Sequence, residues 1–172
     1  MISKSEIALL KSLRFTKYRK TEKKYLVEGK NIVCEAIKKD SIINKVFYTD
    51  RFNNLNEQLV SLLKNKYTSK EISEKEMNAI SPTKSPSGIA ALCNFPKNLL
   101  TMEVNKSWLY LDCISDPGNL GTLLRSACWF GINQVAISKG SVDLYNPKVV
   151  RSAMGAHFSL LIRKETDIDF FD

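Results

Sequence analysis

Leu109-Tyr110-Leu111-Asp112-Cys113-Ile114 runs into Ser115-Asp116-Pro117-Gly118-Asn119, and then Leu120, Leu123, Leu124, Ala127 and Cys128 recur at helical spacing up to Phe130, with Gly131 placed to end the helix. The first six residues are a nearly continuous apolar strand, the pattern expected of a parallel sheet covered on both faces. A turn that carries such a strand into a helix lies at the carboxyl edge of the sheet, where α/β proteins gather ligand-binding groups. Amides left open at the start of that helix would favour an anion. Gly118-Asn119-Leu120-Gly121 lacks the third glycine of a dinucleotide-binding turn, and the chain has no Gly-Lys-Ser/Thr phosphate loop. A Rossmann dehydrogenase or a P-loop enzyme is therefore disfavoured. Arg125, six residues after Asn119 in an otherwise apolar helix, is a cation that either rims the helix or serves a site.

Downstream, Gln134-Val135-Ala136-Ile137 reads as the next strand. Asn146-Pro147 opens a further helix, with proline suited to its first turn, and Gly155 closes it. Phe158 to Ile162 reads as a last strand, before the acidic tail Asp167-Ile168-Asp169-Phe170-Phe171-Asp172. Upstream, residues 96–106 carry no period and make a linker, which sets domains at 1–95 and 107–172. The first domain opens on Ser3-Lys4-Ser5-Glu6, which has the form of a capping box, and Ile7, Leu10 and Leu13/Arg14 continue at helical spacing. Beyond an exposed basic connection, Tyr25-Leu26-Val27-Glu28 is a strand, Gly29 a turn, and Asn31 to Lys38 a helix. Val46 to Thr49 is a second strand, Leu55, Leu59, Leu62 and Leu63 mark one helix, and Lys66-Tyr67-Thr68 is a third strand. Ser73-Glu74-Lys75-Glu76 is a second capping box, and Gly88 to Cys93 a small-residue strand. This alternation predicts a compact α/β module.

Charge divides the chain unevenly. Residues 1–100 hold 19 Lys+Arg against 10 Asp+Glu, whereas residues 101–172 hold 7 against 8. An excess confined to one half points to a polyanionic partner for that half. Lys11, Arg14, Lys17, Arg19, Lys20, Lys23 and Lys24 crowd together around Tyr18, opposed only by Glu22, and form a candidate phosphate-backbone footprint or a solvated basic loop. The four cysteines, Cys34, Cys93, Cys113 and Cys128, are far apart and His157 is the single histidine, so no zinc site is expected. All four read as buried or half-buried thiols, and His157 as an ordinary packed residue. No stretch is long and apolar enough to span a membrane, and Met1 to Glu6 has no apolar core like that of a secretory signal, which makes the cytoplasm the expected compartment.

Asp116 to Ala127 closely resembles the first motif of the SpoU (TrmH-type) RNA ribose 2'-O-methyltransferases of the SPOUT superfamily. Asp143-Leu144-Tyr145-Asn146-Pro147-Lys148-Val149-Val150-Arg151-Ser152-Ala153-Met154-Gly155-Ala156 is similar to the segment that follows it in that family. Ile2 to Leu13, the basic turn, Tyr25 to Gly29 and Pro86 to Ala91 have the order of the family's small substrate-binding domain. The resemblance implies an α/β chain in which a small L30/L7Ae-like RNA-binding domain precedes the first part of a parallel-sheet SPOUT (α/β-knot) domain. It implies S-adenosylmethionine as cofactor and ribosomal or transfer RNA as partner. Asn119 and Arg125 would stand at the reaction centre. There Arg125 would contact the target nucleotide's phosphate and assist loss of the 2'-hydroxyl proton, and Asn119 would orient it. A guanidinium forks well onto phosphate oxygens but holds its proton too tightly to be an easy base, so Arg125 is a positioner first. On its own spacing Asn119 also reads as a helix N-cap. Lys17, Arg19, Lys20, Lys23 and Lys24, with Lys148 and Arg151 on one helix face, are the RNA-binding candidates. Ser152 and Gly155 suit close packing.

Family members continue into two further motifs, one centred on Gly-x-Glu and one resembling Ser-Leu-Asn-Val-Ser, which form the knot and the cofactor pocket. Neither occurs here, so the knot segment is expected to be missing and the cofactor-binding residues are expected beyond Asp172. Sheet faces at Leu109-Tyr110-Leu111 and Val135-Ala136-Ile137 would then lie in water and drive self-association, expected as a homodimer through the second domain. The readings from residues and resemblance are a ribose 2'-O-methyltransferase of which this chain is a truncated form, and a non-catalytic module that binds structured RNA. A small-molecule nucleotide enzyme lacks its phosphate motifs.

Overall fold

The computed structural model describes residues 1–38, 42–96 and 107–171, and the chain divides into two compact units, Met1–Pro96 and Lys97–Asp172. The linker expected at 96–106 falls, after Pro96, outside the described residues.

The first unit runs α1 (Lys4–Ser12), α2 (Thr16–Glu22), β1 (Lys24–Glu28), α3 (Lys30–Ile37), β2 (Ile43–Tyr48), α4 (Asp50–Leu55), α5 (Glu57–Lys66), β3 (Ser69–Glu71), α6 (Glu74–Ile80) and β4 (Ile89–Asn94). Its sheet has the order β1-β4-β2-β3, with β4 antiparallel to both neighbours and β3 parallel to β2. The small apolar run Ile89 to Cys93 is buried throughout, as a strand flanked on both sides requires. Ile2, Leu10, Leu13, Phe47, Met77 and Ile80 pack into one core cluster that joins α1 and α6 to the sheet. The capping box at Ser73 is complete, and Glu76 also accepts from the Ile2 amide at 2.8 Å. At Ser3 only one half forms: its Oγ accepts from the Glu6 amide, while the Glu6 carboxylate takes Lys45 Nζ at 2.6 Å.

Three expectations shift. The connection after α1 is itself a helix, α2. The single leucine-marked helix is two, because the Asn56 side-chain amide donates to Phe52 O at 3.1 Å and its backbone leaves the helical region between α4 and α5. Consequently Leu55 and Leu62 are exposed, and Val60 and Leu63 reach the core. The third strand begins three residues later than expected, since α5 continues to Lys66.

The second unit comprises β5 (Trp108–Leu111), α7 (Pro117–Trp129), β6 (Gln134–Ile137), α8 (Pro147–Ser152), a 3-10 turn (Ala156–Phe158), β7 (Leu161–Arg163) and a second 3-10 turn (Ile168–Phe171). Its sheet is parallel with order β5-β6-β7. The central strand β6 is buried along its whole length, so the expectation that Val135 to Ile137 lie in water fails. On β5 only Leu111 is buried, the rest being half-covered. The tail folds back over it: the Phe171 ring lies 5.6 Å from Trp108 and 5.8 Å from Tyr110, and the Tyr110 hydroxyl donates to Thr166 O at 3.3 Å. Arg163 stacks over Phe170 at 4.0 Å, and Lys139 pairs with Asp167 at 2.6 Å. The last strand is shorter than expected because Ala156–Phe158 turns first. His157 is buried there as expected, and burial pushes its pKa down to about 4. Cys93 is buried and Cys34 half-buried, but Cys113 and Cys128 are exposed, because one sits in the turn after β5 and the other on the outer face of α7.

Candidate nucleotide site at the carboxyl edge of the second sheet

The turn after β5 is held from the neighbouring strand's loop. Cys113 has a left-handed backbone (φ 48°), and its amide donates to Ser138 Oγ at 2.7 Å. The Ile114 amide donates to Ser141 Oγ at 3.1 Å, and Val142 N donates to Ile114 O at 2.8 Å. These bonds fix where α7 begins. Neither serine could be singled out in the sequence, since each acts across 25 or more residues.

Asp116, not Asn119, is the N-cap of α7: its Oδ1 accepts from the Asn119 amide at 2.8 Å. Pro117 occupies the first turn and has no amide to offer. The Asn119 amide, and after it Lys148, hold the Asp116 carboxyl below its ordinary pKa. The start of the helix is thus filled by the protein's own carboxylate, which removes it as the site for an external anion. An Asp directly before Pro is the sequence signal for this cap.

Lys148 Nζ lies 3.3 Å from Asp116 Oδ2 in an exposed pair, so its charge is shared within the site. Asn119, Arg125 and Arg151 are exposed, and among the described residues neither guanidinium has a hydrogen-bond or ion-pair partner. The expected Asn119–Arg125 contact does not form among the described residues. Six residues along a helix turn a side chain well away from the first, so one cannot orient the other directly. What positions Arg125 is helix packing. A Cβ at Gly121, one turn before Arg125, would stand 1.9 Å from Ser152 Oγ and 2.7 Å from Val149 O, so α7 and α8 meet backbone to backbone there. Ser152 Oγ donates to Lys148 O at 2.8 Å and reaches Pro117 O at 3.3 Å. Arg125 and Arg151 therefore flank one close helix contact on a scaffold that holds both at the surface. Among the described residues no cluster of three or more side chains could hold a metal ion.

This arrangement coincides with two family models: the MRM3-like substrate binding domain matches residues 4–91, and the SpoU rRNA Methylase family matches residues 106–171. The chain belongs to the SpoU rRNA methylase family. The 23S rRNA (guanosine(2553)-2'-O)-methyltransferase RlmP of Bacillus subtilis is 33% identical over 150 residues, which is 87% of this chain and 58% of that protein. A TrmH-family structure from Porphyromonas gingivalis superposes with a TM-score of 0.79 at 31% identity over 95% of this chain and 63% of that one. The AdoMet-bound rRNA methyltransferase structure from Sinorhizobium meliloti, 21% identical, shares the fold with a TM-score of 0.81 over 99% of this chain and 66% of its own. The chain thus spans about three fifths of the length of these proteins.

In the first unit of this SpoU chain, the basic cluster separates into two parts. Lys17, Lys20 and Lys23 are exposed and Lys24 half-buried. Arg19 is 1% exposed, with its guanidinium donating to Leu13 O and Arg14 O at 2.8 Å and to Thr16 Oγ1 at 2.8 Å. It satisfies the carbonyls between α1 and α2, which corrects its reading as an RNA contact. Among the described residues no helix is long and apolar enough to cross a membrane.

Proposed function

We propose that this chain carries the RNA-binding domain and the nucleotide-facing half of the catalytic site of an rRNA ribose 2'-O-methyltransferase acting in the cytoplasm as a homodimer. The observation that carries this reading is Arg125: an exposed guanidinium with no partner among the described residues, held on α7, which starts at the carboxyl edge of a parallel sheet and packs closely against α8. Its fork suits two oxygens of a phosphate. Arg151 lies beside the same helix contact and adds a second positive group, and Lys148 shares its charge with Asp116. Holding the phosphate fixes the ribose 3' or 5' to it, so that the 2'-oxygen meets the methyl donor in one orientation. In this reading Asn119, exposed in the first turn of α7, hydrogen-bonds the nucleotide rather than Arg125.

The donor implied by the family is S-adenosylmethionine. The amides of Cys113 and Ile114 in the turn after β5 are bonded to Ser138 and Ser141, and that of Asn119 to Asp116, so these three are not free to hold it.

Methyl transfer to rRNA from labelled S-adenosylmethionine tests this reading, with the chain together with any polypeptide that follows Asp172. Arg125→Ala is expected to lower turnover at least about a hundredfold while the far-ultraviolet dichroism is unchanged. Unchanged turnover would remove Arg125 from the mechanism. If calorimetric titration finds no S-adenosylmethionine binding by the chain, with or without any polypeptide that follows Asp172, the non-catalytic RNA-binding module becomes the better reading.

A further inference from the structure

Phe15 and Tyr18 stand exposed in the middle of the most basic stretch of the first unit, 64% and 46% accessible, with their rings edge to face at 6.5 Å. Phe15 occupies the N-cap of α2, a position that favours Ser, Thr, Asp or Asn, and makes no side-chain cap. Two large aromatic faces in water are unfavourable unless something covers them. They are also not loose: Arg19, immediately after Tyr18, is buried beneath and bonded to the carbonyls of Leu13 and Arg14, which pins the path of the chain between α1 and α2.

In the same stretch as this aromatic pair stand Lys11, Lys17, Lys20 and Lys23, all exposed, opposed by the exposed Glu22 at the end of α2. Cations beside open aromatic faces match a ligand that is anionic along its backbone and flat in its side groups. A protein partner would need acidic groups spaced around an apolar patch, whereas an unpaired nucleotide carries both features in one unit. A duplex does not fit equally well, because its base faces are already stacked and only phosphates would be met. We propose that α2 is a stacking platform on which Phe15 and Tyr18 take an unpaired base, so that this unit selects RNA with a single-stranded loop or bulge over continuous duplex. The proposal rests on the RNA reading above and adds the class of RNA.

The test is fluorescence anisotropy of the whole chain with two labelled RNAs of equal length, a hairpin with an unpaired loop and a blunt duplex. The Phe15→Ala/Tyr18→Ala double variant should bind the hairpin roughly tenfold or more weakly and the duplex as the parent does, with the slope of log affinity against log salt unchanged on both. Tyr18→Phe, which keeps a ring, should retain hairpin binding. Loss of equal size on both RNAs, or no loss on either, overturns the platform. So does a parent chain whose concentration-dependent association vanishes in the double variant, since the rings would then face a second copy. If the parent binds neither RNA, the RNA reading itself fails, which the parent alone reveals.

Discussion

Gly121 shows how little room the site leaves at the level of single residues. Ser152 Oγ could swing away from an added methyl group, but Val149 O and Ala153 N, at 2.7 and 2.8 Å from that position, are backbone and cannot. Gly121→Ala should therefore push α7 and α8 apart and cost roughly 1–3 kcal/mol, read as a lower denaturant midpoint; an unchanged midpoint would show that α8 yields. His157 makes a separate prediction. The folded chain holds it neutral down to about pH 4, whereas the unfolded chain takes up its proton near 6.5. Between those values the unfolded state binds more protons, so stability is fully present above pH 6.5 and falls by up to roughly 3 kcal/mol as the pH drops to 4. His157→Leu should flatten unfolding free energy across that window, and an equally steep curve in the variant would assign the dependence to other groups. That this histidine is packed is legible in the sequence, because no ligand partner stands at useful spacing. That Arg19 is structural is not, because its acceptors include the Leu13 and Arg14 carbonyls, backbone groups that any sequence supplies.

Elements follow the same division between local and distant causes. The capping box at Ser73, the proline opening α8 and the glycine after α7 act within a few residues, and each is readable. The break at Asn56 is not, since a leucine repeat continues across it and only the side-chain bond to Phe52 O ends the helix. Asn119 is recognisable as a polar residue at the start of α7, but the cap belongs to Asp116, one turn earlier. For α2 the distinction has an experimental form. Neutralising Lys17, Lys20, Lys23 and Lys24 together should weaken RNA binding and flatten its salt dependence, by roughly 0.7 to 0.9 in the log-log slope for each phosphate that is no longer neutralised. Arg19→Ala should leave that slope alone and lower the melting temperature instead, because it strands two carbonyls at the end of α1. A reduced slope in Arg19→Ala would return that residue to the RNA-binding set.

At the scale of the whole molecule, α/β architecture follows from strand and helix alternation, and the parallel sheet from the apolar run at β5, although β5 itself is only half-covered. What cannot be read is which apolar surface stays open, since that depends on where the tail goes. Phe170 and Phe171 fold onto Trp108 and Tyr110, and β6 is buried, so the expected naked sheet faces are covered in part at β5 and fully at β6. The most exposed large hydrophobic pair of the second unit lies at the end of α7, where Trp129 is 85% and Phe130 78% exposed. Two adjacent large apolar side chains in water favour a partner by more than most surface positions can, and an interface core is typically built on such aromatic anchors. If the chain self-associates through its second unit, this is the place, and Trp129→Ser/Phe130→Ser should convert a concentration-dependent mass in light scattering to that of a monomer. Phe170→Ser/Phe171→Ser should act in the opposite direction, because it uncovers Trp108 and Tyr110 and adds association rather than removing it. A parent chain that is monomeric across a wide concentration range would overturn the dimer and leave Trp129 and Phe130 to another partner.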